Sequence, residues 1–199
     1  MYEYADKIAS LLNRKIVREF SGIKSLRNFD EINVLEQVSA AYERIYRAAS
    51  EYFLRLAERA YSDASSASAG IDSGFVRRIL SEPDPVSMYV FDSEFDRKRL
   101  RLAEAIRASE GSNAEITRSM RLLSSMLALY AVTVADAATV KSYRDSGVER
   151  VRWISEEDKK TCRECRSRNG KVYPIDKIPP KPHPNCRCRI EAIENQPSD

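Results

Sequence analysis

All four cysteines and the only histidine of this 199-residue chain lie between Cys162 and Cys188, spaced C-x2-C-x17-H-x2-C-x-C. The segment around them is too short to fold on apolar burial alone, because a module of about 50 residues buries little surface. Something other than a core must hold it. Zinc takes four ligands in a tetrahedron, drawn from thiolates and imidazole. A C-x2-C pair lets one tight turn aim two sulfurs at a single ion, and the long intervening loop, turned by Asn169-Gly170, brings the second group back to it. The spacing therefore predicts a structural zinc site. His183 and Cys186 repeat the spacing of Cys162 and Cys165, so the favoured ligands are Cys162, Cys165, His183 and Cys186, with Cys188 turned away or hydrogen-bonded. A set of four cysteines with His183 outside it comes second. Pro182 and Pro184 restrict the backbone beside His183 and lower the entropy lost when its ring is fixed.

Disulfides are the competing use of such residues. The opening stretch MYEYADKIAS lacks the basic and apolar regions of a secretory signal, which predicts synthesis in a reducing cytosol, where a cysteine cluster is read as a metal site. Pairing Cys186 with Cys188 would strain the bridge, so Cys162 with either of them is the fallback. No run approaches the roughly eighteen apolar residues of a membrane helix, and no membrane partner is expected.

Upstream of the cluster the chain reads as helix. Val34, Val38, Tyr42, Ile45, Tyr46, Ala49, Tyr52, Phe53, Leu56 and Ala60 keep the rhythm of one buried helical face. A second long helix opens after Gly111-Ser112-Asn113, where Asn113 can cap, and runs to about Tyr143, with Gly147 fitting its stop. Shorter helices are predicted at 3–20, 73–81 and 93–109, separated by the small-residue loop SDASSASAG and by Pro83 and Pro85. Val86 to Phe91 suits a short strand or a further helical turn. The apolar stripe on residues 34–61 suits either an intramolecular bundle or self-association into a homo-oligomer. Composition changes after Gly147: VERVRWI, KVYPI and CRIEAI have strand character, and Asn169-Gly170 signals a tight hairpin turn. The fold class is mainly α: a helical body over 1–146 with long amphipathic helices, a small C-terminal α+β zinc-binding module over 147–192, and a flexible tail over 193–199.

Function classes narrow accordingly. A hydrolytic zinc site needs an open position and a nearby base, which a closed cysteine-rich set does not offer. The sequence has no H-E-x-x-H, deaminase pattern, P-loop or G-x-G-x-x-G, and one histidine cannot serve both a triad and the cluster. An enzyme with a small-molecule substrate is not expected. The formal charge is +3; residues 1–150 carry 22 basic and 22 acidic side chains, while 151–199 carry 11 and 8. Arg163, Arg166, Arg168, Lys171, Lys181, Arg187 and Arg189 ring the cysteines and are candidate contacts to nucleic-acid phosphates, against Glu156, Glu157, Asp158 and Glu164 between them. Trp153 is expected to pack across the knuckle, with base stacking as its functional alternative.

The tail also carries a resemblance. Gly147, Val148, Trp153, Asp158, the C-x-x-C of Cys162 and Cys165, Asn169-Gly170-Lys171 and the closing His183-Pro184-x-Cys186-Arg187-Cys188 resemble the C-terminal signature of the phage Mu-F-like minor head protein family, also called phage head morphogenesis proteins. The likeness is close over residues 143–190. It implies a non-enzymatic minor head protein of a phage or provirus that associates with portal and capsid proteins, and with packaged DNA as a further partner. It places the protein in the host cytoplasm during assembly and then in the virion head. A zinc-dependent DNA-binding protein of mobile-element origin is the alternative.

Overall fold

The apolar rhythm of residues 34–61 forms the middle of a 34-residue helix, α2 (Glu31–Ala64), in a computed structural model that describes residues 2–24, 31–65, 70–84, 87–108, 113–183 and 186–193. Its buried face carries Val38, Tyr42, Ile45, Ala49, Phe53 and Leu56, each at most 1% exposed. Two further long helices pack with it, α1 (Tyr2–Lys24) and α5 (Asn113–Asp145). The stripe that left self-association open is thus covered within the chain. Between them come α3 (Ser73–Ser81) and α4 (Phe91–Ala108). Asp72 caps α3 by accepting the Phe75 N–H at 2.8 Å.

An aromatic cluster joins α2, α4 and α5. Phe91 meets Tyr130 edge-on at 4.8 Å and Phe53 at 6.0 Å, and Phe95 meets Tyr42 at 5.1 Å. Such geometry adds about 0.5–1.5 kcal/mol per pair beyond area burial. By length and composition α5 is apolar enough to cross a membrane, which corrects the expectation that no segment reaches that level. Half of the qualifying window is buried inside the helical body. Ala131, Ala135 and Ala138 are fully buried there, and small side chains let neighbouring helices come close.

Residues 87–90 form no strand: the Met88 N–H closes a single turn on the Asp84 carbonyl at 2.8 Å. Val90 makes a single antiparallel bridge to Pro83, and Phe91 already begins α4. The buried Asp84 organises this corner: its carboxylate accepts the Ser87 N–H at 2.6 Å and the Thr133 hydroxyl at 2.9 Å. Pro85, Val86, Gly111, Ser112, Pro184, the middle of the small-residue loop and the tail beyond Ile193 lie outside the described residues.

Gly147 ends α5 as predicted, with φ +74°. The Val148 N–H reaches the Tyr143 carbonyl and the Gly147 N–H that of Arg144, both at 3.0 Å, which is the Schellman pattern. The chain then enters a three-stranded antiparallel sheet of order β2-β1-β3, with β1 (Arg150–Ile154) central, β2 (Val172–Pro174) and β3 (Arg189–Ala192). Val151 pairs with Tyr173 and Ala192, and Trp153 with Ile190, so these side chains share one face of the sheet, on which Val151 and Trp153 are buried and Ala192 is exposed. A short helix, α6 (Arg163–Arg168), lies between β1 and β2. The Tyr143 hydroxyl donates to the Ile190 carbonyl at 3.5 Å, and Lys181 pairs with Asp136 at 2.6 Å, tying the module to α5.

Candidate metal centre

Each cysteine owes its position to a local backbone rule. Cys162 is the N-cap of α6, in extended conformation, and its sulfur accepts the Cys165 N–H at 3.3 Å. One turn on, Cys165 points to the same side and is 3% exposed. Cys186, Arg187 and Cys188 lead directly into β3 with a burial that alternates from residue to residue, as where every second side chain faces the same way. Cys186 and Cys188 are therefore both inward, each 3% exposed, and Arg187 is outward. Cys188 is not turned away: its sulfur joins the cluster. Ile190 continues the inward row beside Trp153.

The donors form two overlapping triads, Cys162–Cys165–His183 and Cys165–Cys186–Cys188, with the ligand atoms of each within 4.8 Å of one another. The Cys165 sulfur belongs to both, lying 3.5 Å from His183 Nε2 and 3.5 Å from the Cys186 sulfur. Around a tetrahedral zinc with bonds near 2.3 Å to sulfur and 2.0–2.1 Å to nitrogen, corner atoms stand about 3.6–3.8 Å apart. The observed spacings fit such a site. They do not fit disulfides, whose sulfurs lie about 2.05 Å apart, and all four cysteines are free thiols. No carboxylate shares either triad among the described residues.

Burial sets the proton chemistry. The Cys162 thiol is pulled down to about 7, first by the Cys165 backbone N–H on its sulfur and then by the Cys165 side chain. Burial pushes the Cys165 and Cys186 thiols up from their ordinary value. A metal entering here must displace protons, because a thiolate is the ligand.

Trp153 packs against Cys165, Cys186 and Cys188 at 2% exposure, with Tyr173 edge-on at 6.4 Å and the Arg168 guanidinium over its ring at 5.1 Å. A ring so enclosed is not a base-stacking platform. Asn169-Gly170 differs from the expected hairpin turn. Asn169 has φ −55° and Gly170 φ +76°, and Lys171 N–H returns to the Arg168 carbonyl at 3.0 Å, which makes a type II turn closing α6. Either primed hairpin turn would need positive φ at Asn169, the first of the two central residues. The helix itself was missed by sequence reasoning, since six residues rich in arginine and cysteine show no apolar period.

The basic ring is largely engaged. Arg187 Nη2 reaches Asp158 at 2.6 Å, clamping the segment between the last two cysteines to the turn before Cys162 and holding the Asp158 carboxyl below its ordinary range. Arg189 pairs with Glu191 at 2.9 Å, Arg168 with Glu164 and with the Pro180 carbonyl, and Arg166 with the Asp158 carbonyl at 3.3 Å. Lys181 holds Asp136. Of the residues singled out for phosphate contact, Arg163, Arg166 and Lys171 have no ion pair among the described residues. A separate groove of about 820 Å³ between α2 and α4 is lined by Tyr42, Tyr46, Arg47, Asp92, Phe95 and Arg99. Tyr46 donates to Asp92 at 2.8 Å and Arg99 pairs with Asp96, while the buried Tyr42 hydroxyl has no hydrogen-bond partner among the described residues.

Comparison with known proteins gives one finding that bears on this region. Residues 97–191 match the family described as Phage Mu protein F like protein. The match starts in α4, takes in the whole of α5 and ends in β3, so it is wider than the signature over 143–190. No curated protein and no solved structure gives a significant match.

Proposed function

With residues 97–191 a Phage Mu protein F like region, we propose that the chain is a structural component of a phage or proviral head, acting in head assembly through contacts with portal and capsid proteins. The observation that carries this reading is the extent of the family match. It runs from α4 through α5 to β3, which supports reading the module as a rigid end piece on a helical body. Zinc fits the donor set, and its role is to fasten the turn at Cys162 and Cys165 to the segment at Cys186 and Cys188. When bound it supplies cross-linking and no reaction step. Structural zinc contributes about 10–16 kcal/mol in small peptides, ample to order a module of this size.

No enzymatic role is assigned. The DNA-binding alternative loses ground because acidic side chains and carbonyls occupy most of the arginines on which it depended, and phosphate affinity needs unopposed basic charge. The test is assembly itself. Expressed with the portal and major capsid proteins of its own phage or provirus, the chain is expected to co-sediment with assembled heads in a fixed ratio. Heads of normal composition that exclude it would contradict the proposal.

A further inference from the structure

We infer that the four sulfurs of Cys162, Cys165, Cys186 and Cys188 form the complete metal shell, and that His183 stands outside it as a positioning residue hydrogen-bonded to the Cys165 sulfur. The inference rests on the reading of the cluster as a zinc site and names the ligands of that same site.

Three observations lead to it. The triad of Cys165, Cys186 and Cys188 is buried throughout, each residue 3% exposed, so three corners of a closed tetrahedron are already gathered away from water. The strand alternation that turns Cys188 inward also fixes its direction, because Ile190 and Trp153 pair across the sheet just beyond it. For the fourth corner the neighbours of Cys165 are Cys162 and His183. The Cys162 sulfur is held at the start of α6 by the Cys165 N–H at 3.3 Å, a contact that supports a metal-bound thiolate. Cys162 and His183 are both half-buried, but Cys162 is fixed as the cap of a helix whereas His183 sits in a bend, beside the Cys162 sulfur and 3.5 Å from the Cys165 sulfur through Nε2. That distance serves a ligand corner or an N–H donor to a coordinated sulfur alike; with Cys188 turned inward, the fourth corner falls to the sulfur that the helix fixes and the ring takes the outer place.

Charge agrees. Four thiolates on Zn²⁺ leave a net charge of about −2, against about −1 for three thiolates and an imidazole, from the ligand charges themselves. The excess of basic residues over 151–199, 11 against 8, then has a purpose that needs no nucleic acid. The Lys181 ammonium on the Cys186 carbonyl at 3.3 Å lies close enough to contribute.

X-ray absorption at the zinc edge on the purified full-length chain tests the assignment, with Co²⁺-substituted protein as a second spectroscopic readout. A sulfur-only shell in the unmodified protein is expected. His183→Ala should keep that shell and one metal per chain while weakening affinity by about 10–100-fold, the usual cost of losing an outer partner. Cys188→Ser should bring a light atom into the shell. One nitrogen in the shell of the unmodified chain would overturn the assignment while leaving the zinc reading intact. A chain that binds no zinc would overturn that reading itself.

Discussion

At the scale of single residues, the side chains that decide this structure are small polar groups placed where nothing else can replace them. Asp84 is 2% exposed, yet it accepts hydrogen bonds from the Ser87 N–H and the Thr133 hydroxyl, so the corner before α4 depends on one carboxylate. Replacing Asp84 by Ala leaves those donors without their acceptor, and the expected loss is about 1–3 kcal/mol in denaturant unfolding. Leu100→Ala, at a position 44% exposed, should cost no more than about 0.5 kcal/mol. The cysteines show how much a spacing can say at this scale. The five donors were legible because soft ligands so close together have few other uses. Of the two placements the spacing left for Cys188, turned away or hydrogen-bonded, the structure excludes the first, and the repeated x2 interval gave no means of choosing between them. The better signal was the period of two running from Cys186 through Cys188 to Ile190 into β3. Arg187 was read as a phosphate contact for a related reason: its partner Asp158 lies 29 residues away, beyond any local pattern.

At the scale of elements, periodicity did most of the work where helices were long. The buried face of α2 follows the apolar positions one after another, and α3 occupies the span its breakers predicted. Elements without a period were the ones lost. The helix α6 is six residues with a cysteine as cap, and residues 87–90 take their shape from Asp84 and Thr133, on separate elements. The apolar character of α5 was underestimated because Ala, Ser and Thr punctuate it, although its packing makes it the core helix. A prediction belongs here for the aromatic seam. Phe91 is fully buried and touches Phe53, Phe95 and Tyr130, linking three helices, so Phe91→Ala should cost about 3–5 kcal/mol in thermal or denaturant unfolding. Leu122→Ala, on the exposed side of α5, is the matched control and should fall within about 0.5 kcal/mol of the parent.

At the scale of the whole molecule, the two apolar clusters are held by different physics. The helical body buries a continuous core across α1, α2, α4 and α5, and the module gathers Trp153 and three cysteines. Hydrophobic burial supports the first; a cluster that small needs a cross-link. Replacing both Cys162 and Cys165 with Ser should therefore abolish metal binding and expose Trp153, while the far-ultraviolet helical signal stays near that of the parent. Loss of the helical signal along with the Trp153 environment would show that the body depends on the module. The central claim, that a divalent ion ties the two halves of the module together, has a direct test because Trp153 is the only tryptophan in the chain. Zinc content should be measured on protein purified without added metal, and Trp153 emission followed as a strong chelator is added. One zinc per chain, with emission shifting to the red as the ion is withdrawn and recovering on its return, is the predicted result. A metal content near zero, with an emission maximum and melting temperature indifferent to chelator, would contradict it.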